Sequence, residues 1–150
     1  MKEVILLQQL RNIMTSNVVT VNENQTVQEA AALMSQHNIG SIPVVNSSGQ
    51  MAGIITDRDI TLRATSQGEG AQTPISQVMT AQQVVQGTPE MDVQQAAQLM
   101  AQQQIRRLPV VENGQIVGMV ALGDLAVDHL SNDAAGEALS SISTPSEPQQ

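Results

Sequence analysis

The sequence predicts an α/β (α+β) fold made of two pseudo-symmetric β-α-β-β-α units. Three observations carry that reading: the chain repeats itself, each copy switches between strand-like and helix-like hydrophobic periods, and the apolar residues are all non-aromatic. Val27 to Met34 (Val-Gln-Glu-Ala-Ala-Ala-Leu-Met) matches Val93 to Met100 (Val-Gln-Gln-Ala-Ala-Gln-Leu-Met), 66 residues on. Upstream, Ile13-Met14-Thr15 matches Val78-Met79-Thr80. Downstream, Ile42-Pro43-Val44-Val45 matches Leu108-Pro109-Val110-Val111, and Gly53 to Ile60 matches Gly118 to Leu125, where the offset has slipped to 65. Landmarks recurring in one order at one spacing mark a duplicated structural unit.

Each copy reads as strand, helix, strand, strand, helix. Val18 to Val21 and Val84 to Gln86 are short β-branched runs. The first helix of each copy has apolar residues at Val27, Ala30, Ala31 and Met34, or at Val93, Ala96, Ala97 and Met100, one face of a 3.6-residue period. Thr26 with Glu29, and Asp92 with Gln95, have the N-cap and N3 spacing of a capping box. Asn46 to Gly49 and Glu112 to Gly114 are hairpin turns, and a short second helix starts near Asp57 or Leu122. One such unit cannot bury its sheet face alone, so the two are expected to share one core.

The copies occupy residues 13–66 and 78–130, after an N-terminal extension at 1–12 and before a tail at 131–150. In the extension Val4, Leu7 and Leu10 have the spacing of a short helix lying on the body. The tail, rich in Ser, Pro, Gln and Glu, has the composition of a disordered segment.

Composition narrows the function. Hydrophobic residues make up 41% of 150 residues, yet Phe, Trp and Tyr are absent, so the core is built from Val, Ile, Leu, Met and Ala. Met34 and Met100 serve as adaptable core. No cysteine is present, which removes disulfides, thiol catalysis and thiolate-bound zinc. A net charge of −8 argues against binding nucleic acid or anionic membranes, which depends on clustered Lys and Arg. The apolar run Val4 to Leu7 is too short to span a bilayer, so a soluble cytoplasmic protein is expected. Of the six basic residues, four form two close pairs, Arg58 with Arg63 and Arg106 with Arg107.

These landmarks resemble the CBS domain family in its tandem form, the Bateman module, over about Ile13 to Asp128. The resemblance rests on the Met-Thr openings, the Ile/Leu-Pro-Val-Val strands and the turns running from Gly53 to Asp59 and from Gly118 to Asp124. The whole chain is similar to the small stand-alone bacterial CBS-pair proteins. What the resemblance implies is a regulatory sensor, not an enzyme, with two CBS repeats packed as one Bateman module. Its regulatory ligand would be an adenosyl nucleotide, AMP, ADP or ATP before S-adenosylmethionine, NAD or cyclic di-AMP, held in clefts between the repeats, with no catalytic cofactor. Carried over by motif, Asp59 and Asp124 would grip ribose hydroxyls and Thr56 would reach phosphate, while Ala121 stands where the second copy should have a hydroxyl. Thr20, Val21 and Val85 would close the same clefts, and Arg107, matched by Ser41, would meet phosphate. Such modules commonly dimerise, and Leu33 and Leu99 are compatible with an isologous interface.

Elementary chemistry supports several of these roles. A carboxylate can accept from both hydroxyls of a cis-diol, and an Arg fork matches phosphate as Lys cannot. Arg58 or Arg63 would add charge at the first site. Proline lacks a ladder donor and belongs at a strand edge, so Pro43 and Pro109 are expected to face a cleft, leaving neighbouring carbonyls and amides free for a base. Ile42, Val44, Leu108 and Val110 would sandwich the purine, although Val45 and Val111 are core. Thr56 to Asp59 is equally a capping box, and both readings stand at this point. His37 and His129 are isolated and carry no metal-ligand spacing. A ligand-free dimerisation or protein-interaction module, with an unidentified protein partner, is the alternative function, and Ala121 favours it.

Overall fold

A computed structural model of the chain describes residues 8–127. Val4, Leu7, His129 and the tail at 131–150 lie outside them. The first copy runs β1 (Val21–Asn22), α1 (Val27–His37), β2 (Ser41–Val45), β3 (Met51–Thr56) and a second helix that begins as α2 (Asp57–Asp59). That helix widens to a π turn at Ile60–Ala64 and tightens to a 3₁₀ turn at Thr65–Gln67. The second copy runs α3 (Val93–Gln103), β4 (Arg107–Glu112), β5 (Gln115–Ala121) and α4 (Leu122–Val127).

Helix starts follow the expected caps with two changes. Thr26 accepts from the Glu29 amide at 3.2 Å, but the Glu29 carboxylate takes the Gln25 side-chain amide instead of closing the box. Asp92 caps the Gln94 amide at 3.0 Å, one residue before the expected Gln95. Both helices end on a left-handed residue, Asn38 at φ 54° and Gln104 at φ 53°. The second hairpin turns through Asn113 and Gly114, both at positive φ, the pair of left-handed residues that lets a tight turn match the twist of its strands. Ala31 is exposed, whereas its counterpart Ala97 is buried.

Pro43 does not lie on an edge strand as the sequence suggested, whereas Pro109 does, on β4 of a two-stranded sheet with β5. Strand order in the first sheet is β1-β2-β3, so Pro43 is on the middle strand, paired with Ile54 of β3. Strand β1 pairs in parallel only with Val44 and Val45, which leaves the proline's donorless nitrogen beside the uncovered stretch of β2. Around Pro109 the arrangement recurs, with Gly87 as the parallel partner: its amide donates to the Pro109 carbonyl at 2.8 Å and its carbonyl accepts from Val111 at 2.9 Å. The Val84 to Gln86 run is therefore not a strand, and pairing starts one residue later.

The chain divides into two compact units that do not follow the copies. One unit joins residues up to Asn17 to Val85–Glu112 and the stretch from Val117; the other is Val18–Val84 with Asn113–Ile116. Each has its own core, which corrects the expectation of one shared core. The segment opening each copy supplies the missing cover for the other copy's sheet and helices. Leu10, on a 3₁₀ turn at Leu10–Asn12, is 0% exposed among Val93, Met100, Leu108 and Leu125. Its counterpart Ile75, on a 3₁₀ turn at Ile75–Gln77, is 0% exposed among Val27, Ala30, Ile42 and Ile55. Backbone bonds hold both plugs in place: Leu10 donates to Met91 at 2.9 Å, and Ile75 to Gln25 at 2.8 Å. Leu33 and Leu99 are half-buried against these cores.

The Met-Thr landmarks follow their plugs. Thr15 exchanges two backbone bonds with Met119 of β5, both 2.9 Å, and Thr80 exchanges two with Ile54 of β3, at 2.8 and 2.9 Å. Gly53 makes the second contact possible, because a Cβ there would lie 2.5 Å from the Thr80 carbonyl oxygen. Gly118 stands likewise under the Met14 side chain.

Leu10→Ala and Ile75→Ala are each expected to cost about 2–5 kcal/mol in urea unfolding, the range for emptying a fully buried aliphatic site. A loss under 1 kcal/mol for Leu10→Ala would show that residue 10 is an appendage and not part of the core.

Candidate functional site

The second helix of the first copy starts where β3 ends, and the two elements are stitched to the start of β2 by the Asp57 amide, which donates to the Gly40 carbonyl at 2.9 Å. Thr56 and Asp59 form a complete capping box. The Asp59 amide donates to Thr56 Oγ1 and the Thr56 amide donates to Asp59 Oδ2, both at 3.0 Å. Asp59 is only 8% exposed, and its carboxylate has further partners. The Thr80 hydroxyl donates across both oxygens, at 3.1 Å from Oδ1 and 3.3 Å from Oδ2. Arg63 brings Nε to 3.9 Å from Oδ1 and donates Nη1 to the Met79 carbonyl at 3.2 Å. A buried carboxylate persists when it is paired and hydrogen-bonded, and Asp59 is both.

Capping and ligand binding, open alternatives in the sequence, therefore meet on the same side chains. Thr56 Oγ1 accepts from the Asp59 amide, which leaves its own O–H as a donor. The Thr80 hydroxyl lies on the carboxylate in the manner of a sugar hydroxyl, spanning both oxygens. Thr80 was visible in the sequence only as a landmark, and the signal that could have singled it out is its recurrence as Thr15. Arg58 is exposed, and its guanidinium has no partner among the described residues.

In the second copy the same turn carries fewer commitments. The Ala121 amide donates to Asp124 Oδ2 at 2.8 Å, half of a capping box, and no other bond to this carboxylate occurs among the described residues. Leu122 donates to the Arg106 carbonyl at 2.8 Å, the equivalent of the Asp57 to Gly40 bond. Arg107 is half-buried and Arg106 exposed, and neither guanidinium has a partner among the described residues.

Placement of the remaining candidates divides by unit. Thr20, Val21, Ile42, Pro43, Val44, Thr56, Arg58 and Asp59 fall in one, and Val85, Arg107, Leu108, Pro109, Val110, Ala121 and Asp124 in the other. Val21, Ile42, Pro43, Val44, Leu108, Pro109 and Val110 are buried, so their side chains serve the cores first. Thr20 and Val85 are half-buried. Val45, expected in the core, is half-buried, while Val111 is buried. The backbone groups expected to lie free beside the prolines are paired: Val45 accepts from Glu23 at 2.9 Å, and Pro109 and Val111 bond Gly87. His37 is exposed at the end of α1, and the described residues contain no group of three His, Asp or Glu able to hold a metal ion.

A helix-strand-strand-helix unit present twice, each copy with an acid fastened to the turn after its hairpin, defines a tandem repeat. The CBS domain profile matches residues 10–64 and 75–127, and the chain belongs to the CBS domain family, as a tandem pair with an α+β fold. It is 56% identical over 134 residues to the CBS domain-containing protein YhcV of Bacillus subtilis (strain 168), covering 89% of this chain and 94% of that one. Among solved structures it resembles the CBS domain protein TA0289 of Thermoplasma acidophilum, with a TM-score of 0.75 and 28% identity over 91% of this chain and 76% of that one. It also resembles the CBS domain pair of protein MJ0100 in complex with 5′-methylthioadenosine and S-adenosyl-L-methionine, with a TM-score of 0.69 and 29% identity over 80% and 94% of the two chains. No described helix is long and apolar enough to cross a membrane.

Thr80→Val keeps the shape of residue 80 and removes its donor, leaving the Asp59 carboxylate short of a partner. We expect it to lower stability by about 1–3 kcal/mol, and Thr56→Ala by about 0.5–2 kcal/mol through loss of the cap. A double-mutant cycle of Thr80→Val with Asp59→Asn, read by urea unfolding, should show coupling of about 0.5 kcal/mol or more. Additive losses would remove Thr80 from the Asp59 network.

Proposed function

We propose that the chain is a regulatory, non-catalytic sensor that binds an adenosine-type nucleotide, AMP, ADP or ATP before S-adenosylmethionine. The observation that carries the reading is the paired acids, Asp59 and Asp124, each fastened by one oxygen to the turn after a strand, at 3.0 and 2.8 Å. A carboxylate held this way is already oriented, and its remaining lone pairs can accept from a ribose diol without further ordering. Thr80 donating across both Asp59 oxygens shows that this carboxylate accepts a hydroxyl in that geometry. The adenosyl ligands of the MJ0100 pair support the ligand class. Arg107 and Arg58, free of carboxylate partners among the described residues, would meet phosphate, and the half-buried Thr20 and Val85 would border the ligand. The homodimer expected from the family resemblance and the cytoplasmic location expected from the short apolar runs belong to the same proposal. Regulation then requires that the ligand prefer one arrangement of the protein, since it can shift an equilibrium only by its differential affinity.

One observation favours the alternative of a ligand-free interaction module. The Asp59 carboxylate already has Thr56, Thr80 and Arg63, so that site holds itself together without a ligand.

A dye-based thermal shift with AMP, ADP, ATP, S-adenosylmethionine, NAD and cyclic di-AMP separates the two, intrinsic fluorescence being ruled out by the absence of Trp and Tyr. A ligand at a hundred times its Kd adds about 2.7 kcal/mol to the folded state and raises Tm by several degrees. No shift with any of the six would leave the interaction module as the better reading.

A further inference from the structure

The two units are not equivalent as anion sites. We infer that the unit carrying Arg106, Arg107 and Asp124 takes the phosphate-bearing ligand, and that the unit carrying Asp57 and Asp59 is held closed by its own side chains. This rests on the nucleotide reading for the identity of the ligand, although its electrostatic part does not.

Corresponding backbone bonds align the units position by position. Asp57 donates to the Gly40 carbonyl at 2.9 Å and Leu122 to the Arg106 carbonyl at 2.8 Å, so the loop entering the Pro-containing strand and the turn after the third strand meet in the same way twice. What differs is the side chains at that junction. The first has Gly40, Ser41, Thr56, Asp57, Arg58 and Asp59; the second has Arg106, Arg107, Ala121, Leu122, Gly123 and Asp124. In the first, the Asp57 carboxylate fills the space beside Gly40, with Oδ2 only 3.2 Å from where a Cβ would be. The arginine side chain begins at the equivalent spot in the second unit, so an anion approaching there meets an acid in one unit and a base in the other.

Charge and commitment point the same way. Over these matched positions the first junction carries two carboxylates, Asp57 and Asp59, and one guanidinium, Arg58, and further along its helix Arg63 is drawn to Asp59. The second carries one carboxylate, Asp124, and two guanidiniums, neither of which has a partner among the described residues. Asp124 accepts one bond from those residues, whereas Asp59 accepts from Thr56 and Thr80 and also faces Arg63. A ligand diol at Asp59 has to displace or share with a hydroxyl already seated, and its phosphate has to approach Asp57. At Asp124 neither obstacle is present among the described residues. The sequence ranks the sites the other way, because Thr56 supplies a hydroxyl that Ala121 lacks. In the structure that hydroxyl accepts the Asp59 amide and keeps its O–H as a donor, so the difference between the units lies in the acids and arginines around it.

Amide NMR titrations of the full chain with AMP, and separately with inorganic pyrophosphate, test the assignment. Both probes should perturb residues 105–108 and 121–125 before residues 40–41 and 56–59, with one equivalent of AMP per chain. Arg107→Gln should weaken both probes about tenfold or more, the loss typical of a charge-assisted bond, and should weaken them more than Asp59→Asn does. Pyrophosphate acting at 105–108 with AMP inert would keep the asymmetry and sink the nucleotide reading. AMP perturbing residues 40–41 and 56–59 first or equally, or weakened by Asp59→Asn and not by Arg107→Gln, would overturn the asymmetry while leaving the nucleotide reading in place. Silence from both probes would overturn both.

Discussion

Each core is closed by an aliphatic plug that sequence order assigns to the opposite copy. Leu10 and Ile75 have no exposed surface, and each is pinned by backbone bonds at the foot of a long helix. Burying one such side chain is worth about 1.5–3 kcal/mol, a sizeable share of a typical domain's margin. Everything downstream of the plug inherits its position. The following Met-Thr pair is laid along the third strand of the same unit, over a glycine that has no Cβ to obstruct it, and in one unit this brings Thr80 onto Asp59. Plug, strand and acid are consecutive consequences of one packing event.

That sequence of contacts explains why the acid at the turn has two duties. In a capping box alone, Asp59 would face solvent with most of its lone pairs unused. Seated under Thr80 and beside Arg63, it ties the turn to the segment that arrives from the plug. The second copy retains the acid and its backbone bond but has the methyl of Ala121 in place of the Thr56 hydroxyl, and Leu122 and Gly123 in place of the charges at 57 and 58. The second copy keeps the frame of the first and changes its electrostatics.

Much of the frame was legible because the signals are local. Hydrophobic period and cap residues place α1 and α3 from Val27 and Val93, and the turn residues place both hairpins. Asp59 and Asp124 stand out because they recur at the same point of the repeat. The exchange of plugs was not legible, since periodicity says which face of a segment is buried and not what buries it. Leu10 reads as part of an extension for that reason. Pro43 misled in the same way: a missing donor predicts an uncovered nitrogen, and a middle strand provides one where its parallel neighbour starts late. Thr80 escaped because a long-range side-chain bond leaves no periodic trace, and without it Asp59 looks freer than it is.

The exchanged plugs also set an order of assembly during synthesis. As the chain leaves the ribosome from its N-terminus, the unit around Val18–Val84 has its plug, helix and three strands in hand once Thr80 has emerged, lacking only the Asn113–Ile116 turn. Leu10, made before any of this, has no site until Val93, Leu108 and Leu125 follow. A segment that waits so long for its partners is a sticky one, and contacts so distant in sequence form slowly. The stretch that carries Leu10 precedes its site in synthesis and is among the last to find its place.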